Sequence, residues 1–157
     1  MKKLLFILFI CICFNVLETN AQKVYRNNSS MYSDIIWNVE NNCGDYYIYY
    51  GNSTLRSDIN SIFDGKYFYN GSIKQHSNIV YTWYNNQLYK GKSTYISDII
   101  CTYKSGSFYF RNNITQSHLM YTYRNNKVYL KNSSMESNIL IKTSDELPPA
   151  ILAYILF

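Results

Sequence analysis

The chain has 157 residues, a formal net charge of +5 and 18 tyrosines, and only 16% of it is charged. Its Lys and Arg residues stand singly with no basic run, which argues against a nucleic-acid partner. About 136 residues remain after the N-terminal segment described next, the size of one domain.

Lys2 and Lys3 precede an unbroken apolar run from Leu4 to Phe14, and Thr19-Asn20-Ala21 puts small residues three and one positions before Gln22. That layout predicts a cleavable secretory signal over residues 1–21. Eleven apolar residues make a helix of roughly 16 Å, about half the bilayer core, so no stable membrane span is expected after cleavage. The expected location is outside the cytoplasm: periplasmic, cell-surface or extracellular. Cys43 and Cys101 would remain, one in an insertion and one in mid-strand. Since a disulfide tolerates at most about 7 Å between Cα atoms, those positions argue against a bridge.

Residues 22–143 are a tandem array. Tyr25, Tyr49, Tyr69, Tyr89, Tyr109 and Tyr129 recur at intervals of 24, 20, 20, 20 and 20, and a serine stands eight positions after each one. Each unit reads as two short strands around a polar stretch of Ser, Thr and Asp. Between units come Asp64-Gly65, Asn85-Asn86, Ser105-Gly106 and Asn125-Asn126, residues that tolerate the positive φ of two-residue hairpin turns.

With Asn85-Asn86 as the loop, Trp83 faces Leu88 and Thr82 faces Tyr89. Alternation then places Ile79, Tyr81, Trp83 and Leu88 on one face and Val80, Thr82, Tyr89 and Gly91 on the other. The Ser105-Gly106 and Asn125-Asn126 turns sort their neighbours the same way, Ile99 going with Cys101 and Leu119 with Tyr121. Asn41 to Asp45 is expected to lengthen one turn and make the first units the least regular.

The expected fold is all-β: six tandem hairpin repeats of about 20 residues in an antiparallel meander, rolled or closed so that its apolar face is covered. The alternative is a β-solenoid with one repeat per coil and stacked serines. Residues 144–157 carry a helix start, Ser144-Asp145-Glu146 before Pro148-Pro149, and then Ile151, Leu152, Ile155 and Leu156. A C-terminal capping helix over the sheet is expected there.

No constellation in the chain names a reaction. Six equivalent serines cannot all be nucleophiles, and each precedes an Asp, Asn or His in a way that suits loop-closing hydrogen bonds. His76 and His118 have no partner at catalytic or metal-ligand spacing. Asp34, Asp58 and Asp98 are interrupted by Asn78, His118 and Asn138, with no Gly-rich loop to form a calcium site. The expectation is therefore no enzyme, no cofactor and no metal.

The recurring Y-x-G-x-S-x-x-x-S-D-I, seen as Tyr89-Lys90-Gly91-Lys92-Ser93 with Ser97-Asp98-Ile99, resembles tandem repeats of exported bacterial proteins from Lys23 to about Lys142. That resemblance implies no activity. The repeat is also loosely similar to MORN and choline-binding hairpin repeats, but it lacks the interior glycines of the first and the Gly-Trp signature of the second.

Two uses of the tyrosine row are open. As strand formers, tyrosines simply cover sheet surface. As a platform, Tyr49, Tyr69, Tyr89, Tyr109 and Tyr129 would form the contact surface of a non-enzymatic exported protein that meets another protein or the cell envelope. The same platform would alternatively make a carbohydrate-binding module for a cell-surface polysaccharide.

Overall fold

The computed structural model describes residues 21–157. The expected leader therefore lies outside the described residues but for Ala21. Strand β1 (Gln22–Arg26) is followed by β2 (Ile35–Asn42), β3 (Asp45–Tyr50), β4 (Ile59–Phe63), β5 (Tyr67–Asn70) and β6 (Ile79–Tyr84). Then come β7 (Gln87–Lys90), β8 (Ile99–Lys104), β9 (Ser107–Phe110), β10 (Leu119–Arg124), β11 (Lys127–Leu130) and β12 (Ile139–Thr143). All twelve pair antiparallel with their neighbours in one closed barrel. The coiled alternative is thereby excluded.

The hairpins form between successive sequence units. Five of them, β2–β3 to β10–β11, are continuous in the chain. The sixth is split: β12 and β1, the two ends of the array, pair through Val24–Thr143, Tyr25–Lys142 and Arg26–Ile141. The half-repeat offset between sequence unit and hairpin leaves one unpaired strand at each end, and pairing them removes the last sheet edges.

At the turns, residues and geometry agree. Asn85 and Asn86 have φ of 48° and 58°, Asn125 and Asn126 have 50° and 58°, and the strands meet as Thr82–Tyr89 and Trp83–Leu88. The first hairpin differs from expectation. Its turn is only Cys43-Gly44, and pairing runs unbroken from Asn42–Asp45 to Trp37–Tyr50. The four extra residues thus lengthen the strands by two on each side. They enter as whole cross-strand pairs because an odd insertion would exchange the two faces.

A second difference recurs in every repeat. Where one hairpin meets the next, the register slips by one residue: Leu88 pairs with Cys101, but Tyr89 pairs with Ile99. The skipped residue is a β-bulge. Its counterpart in β6, Val80, accepts a hydrogen bond of 2.7 Å from the N–H of Gly91. Gly91 stands at φ 63°, a left-handed conformation in which glycine avoids the Cβ penalty. This explains the Y-x-G spacing.

The bulge reassigns the strand starts. Val80 and Ile100 pack against the central core, whereas Ile79 and Ile99 sit opposite Tyr69 and Tyr89 on the outer side. Simple alternation places Ile79, Ile99 and Leu119 inward, and a bulge at each strand entry is the reason it fails there.

Helix α1 (Pro149–Leu156) begins at a proline, whose missing N–H costs nothing at a helix start. It fills the barrel, so it is more than a cap over a sheet. Ala150, Ile151, Leu152 and Ala153 are all buried, and four consecutive residues span the full circumference of a helix. They share one core with Val24, Ile48, Phe68, Leu88, Phe108 and Val128, drawn from strands all round the ring. Tyr154 stacks on Phe68 at 4.7 Å and accepts a 2.6 Å hydrogen bond from Asn60 Nδ2.

The two cysteines within the barrel are both free: Cys43 is exposed in its turn and Cys101 is buried in β8. Burial pushes the Cys101 thiol up to about 12. Iodoacetamide at pH 8 should alkylate Cys43 in the native protein and reach Cys101 only after denaturation, as read by mass spectrometry of tryptic peptides. Native-state labelling of Cys101 would show that β8 is not sealed.

Candidate functional site

The tyrosine row lies on the outer side of the sheet, as the pleat requires, but it is not an open surface. Tyr49, Tyr69, Tyr89 and Tyr129 are buried, and Tyr109 is half-buried. Their hydroxyls reach toward the hairpin turns. Tyr49 donates to Glu40 at 3.1 Å, Tyr69 to Asp64 at 2.7 Å and Tyr89 to Gln87 Oε1 at 2.6 Å. Burial, reinforced by the neighbouring carboxylates, pushes Tyr49 and Tyr69 up to about 12. Burial alone would also raise Asp64. Instead the N–H of Tyr67, the Tyr69 hydroxyl and the N–H of Lys66 hold it below the usual carboxylate range.

The cover comes from the connections between hairpins, which fold back over the outer face. Gln87 bonds Asn112 of the next-but-one strand's connection at 2.7 Å, Asn38 bonds the Ser53 carbonyl at 3.1 Å, and Lys142 bonds Ser30 at 2.5 Å. The threonines are used in the same way. Thr82 and Thr102 each donate at 2.7 Å to the carbonyl of Gly91 and Arg111 respectively. Around Tyr49, Ile59 and Ile62 complete a small second apolar cluster with Tyr47. An exposed Tyr/Thr-lined platform is therefore corrected: the backbone polar groups of eight-residue connections need partners, and the outer face supplies them.

In three of the six connections an aspartate does the closing. Ser29 donates to Asp34 and Ser53 to Asp58, each at 2.5 Å, and Ser93 bonds Asp98. The serine of the recurring pattern is exposed in a short 3-10 turn, and Ser57, Ser77 and Ser97 bond the next residue, as Ser57 does Asp58 at 3.0 Å. His118 Nδ1 lies 2.9 Å from Thr115 and 3.1 Å from Ser117, and His76 Nδ1 lies 2.8 Å from Lys92 Nζ. Among the described residues no group of three or more His, Cys, Asp or Glu side chains is placed to hold a metal.

What the molecule does expose is apolar and one-sided. In an up-and-down barrel all hairpin turns lie at one end, and every connection leaves and re-enters the sheet at the other. Of the twelve large apolar side chains exposed among the described residues, all but Tyr84 belong to the connections or to strand residues adjoining them. Tyr95 is 77% exposed, Ile96 74%, Tyr32 72% and Met31 65%. Met31, Leu55, Tyr95 and Met135 are equivalent positions, each six residues after its repeat tyrosine and just before its 3-10 turn. Four of the six repeats carry an apolar residue here; Gln75 and Thr115 fill the other two. This rim escapes notice in sequence because its residues are scattered through polar loops.

One cavity breaks the six-fold regularity. About 310 Å³ opens beside the long hairpin, lined by Glu40, Asn42, Tyr47, Tyr49, Thr54 and Arg56. Ile59 and Ser72 close it. The two-pair extension of β2 and β3 brings Glu40 and Asn42 to this site.

Residues 24–153 match the family described as "6-fold beta flower protein", and the chain belongs to that family. No curated protein and no solved structure matches it.

Proposed function

We propose that this six-petalled flower is an exported, non-enzymatic binding protein that meets its partner, a protein or the cell envelope, through the connection end of the barrel. The observation behind this reading is the concentration of exposed apolar side chains at that end. Exposed apolar side chains gathered on one part of a protein, and not spread evenly over it, favour an interaction site there. The non-enzymatic part is supported by the site chemistry. The recurring serines sit exposed in turns, and the Ser117–His118 contact has no carboxylate bonded to the ring among the described residues.

The test is cell fractionation of a rim variant, Met31→Ser, Leu55→Ser, Tyr95→Ser and Met135→Ser together. These side chains are well exposed, so stability should change little. The wild-type protein should remain with the envelope fraction and the variant should leave it. Equal fractionation of the two would refute the reading.

A second reading, carbohydrate binding, is favoured by the cavity beside the long hairpin. It pairs an aromatic wall, Tyr47, with the Glu40 carboxylate and the Arg56 guanidinium, a combination suited to sugar faces and hydroxyls. Glycan-array binding lost on Glu40→Gln and retained by the rim variant would favour it over the first.

A further inference from the structure

We propose that the surface met by the connection end is an anionic lipid bilayer. The inference rests on the reading above and names the partner's chemistry. Two independent properties of the same end lead to it.

The first is the spacing of the apolar groups. Met31, Leu55, Tyr95 and Met135 occupy four of six equivalent places on a closed ring, Gln75 and Thr115 holding the other two, so neighbouring ones can meet one surface together without any change in the barrel. Tyr95 and Tyr32 are amphipathic rings of the kind that settle at the headgroup level of a bilayer.

The second is charge. The six connections with their adjoining residues (26–34, 50–58, 70–78, 90–98, 110–118 and 130–138) hold seven basic and four acidic residues, a net +3, of which Lys74 is paired at 2.5 Å with Asp45 of β3. The remainder of residues 22–157 holds six basic and five acidic, a net +1. Moreover, Asp34, Asp58 and Asp98 are turned inward onto loop serines. Lys90, Arg111 and Lys131 remain exposed beside the apolar ring. Basic groups interleaved with apolar ones at a single face match the headgroup charge and acyl boundary of an anionic leaflet.

The geometry also sets the mode of contact. The strands run four to eight residues, against about nine to eleven for a strand that spans a bilayer. Among the described residues no helix is long and apolar enough to cross one. The barrel would lie on the surface with its connection end down.

The proposal is tested by flotation with vesicles of phosphatidylcholine alone and of phosphatidylcholine with about one-third phosphatidylglycerol, a content that gives the vesicle surface a negative potential. The full chain and its variants are compared with the same N-terminus, so a retained leader contributes equally to each. The wild type should float with the anionic vesicles and partition at least about ten-fold less onto neutral ones, an electrostatic preference that 0.5 M salt should erase, an ionic strength at which the Debye length shrinks to roughly 4 Å. Leu55→Ser, Tyr95→Ser and Met135→Ser together should lower anionic partition by about ten-fold or more, the scale of losing one large buried apolar side chain. Lys90→Gln, Arg111→Gln and Lys131→Gln should abolish the preference for anionic vesicles. In a separate Tyr95→Trp protein, indole emission should shift to shorter wavelength on anionic vesicles.

Flotation unchanged by both sets of substitutions, or an indole emission in the Tyr95→Trp protein that ignores the vesicles, overturns the proposal. So does a wild type that stays with the buffer while forming dimers that the rim variant cannot; that result assigns the surface to a second copy of the chain. If vesicle binding fails but the rim variant still leaves the envelope fraction, the broader reading stands with a protein partner. If fractionation is indifferent to the rim, the broader reading itself fails.

Discussion

A chain lacking residues 22–27 should show no cooperative thermal unfolding and should aggregate. Strand β1 is the closing stave, paired with β12 on one side and β2 on the other. Its removal leaves both neighbours with unpaired N–H and C=O groups, the template for edge-to-edge association. It also opens the core beside Val24, which is fully buried against the central cluster. A domain of this size is stable by only about 5–15 kcal/mol, and losing a whole strand with its two ladders exceeds that margin. Val24→Asp is the point-substitution version. An unpaired carboxylate in that core should cost roughly 3–5 kcal/mol, by analogy with breaking a buried ion pair. Circular dichroism melts with size-exclusion chromatography report both outcomes. A truncated chain that melts in one sharp transition would show that β12 pairs directly with β2, and the closing role of β1 would have to be abandoned.

The second large effect is expected from the helix that fills the barrel. Leu152→Ala should lower stability by about 2–5 kcal/mol, the range for truncating a fully buried leucine whose surroundings relax only in part. For a domain of this length each kcal/mol corresponds to roughly 2–4 °C of melting temperature. Leu152→Asp should leave no compact state, since the carboxylate would sit where Leu152 and its three buried neighbours meet strands from all sides. Tyr154→Phe isolates the polar contribution of the plug. It removes the acceptor of the Asn60 amide and should cost on the order of 1 kcal/mol. A Leu152→Ala protein that melts with the wild type would mean that the helix adds little to the core, contrary to its burial.

Much of the fold was legible in residue spacing. The Tyr-to-Ser period identified six units, and the Asn85-Asn86 and Asn125-Asn126 turns set the cross-strand register that the barrel displays, Thr82 against Tyr89 and Thr122 against Tyr129. Two-residue turns permit this because their chemistry is local: a pair of residues at positive φ determines which partners face each other. The bulge at Val80 and Ile100 was not legible, because it is created by the neighbouring hairpin and its sequence mark, Gly91, lies eleven residues away from Val80. The candidate site was read less well. Tyr49, Tyr69 and Tyr89 were correctly assigned to the outer side, but whether an outward residue meets water depends on what folds over it.

Length, turn dipeptides and the 20-residue period by themselves determined the number of units, pointed to antiparallel hairpins, and set the register across the Asn-Asn turns and the apolar face except at the strand starts. These are properties of neighbours along the chain. Three things were decided only by the tertiary structure: that the last strand closes on the first, that α1 occupies the interior, and that the connections cover the tyrosines while leaving Met31, Leu55, Tyr95 and Met135 exposed. Each depends on contacts between segments far apart in sequence. Closure joins residues more than a hundred positions apart, and burial is a property of the assembled ring that no single repeat carries alone.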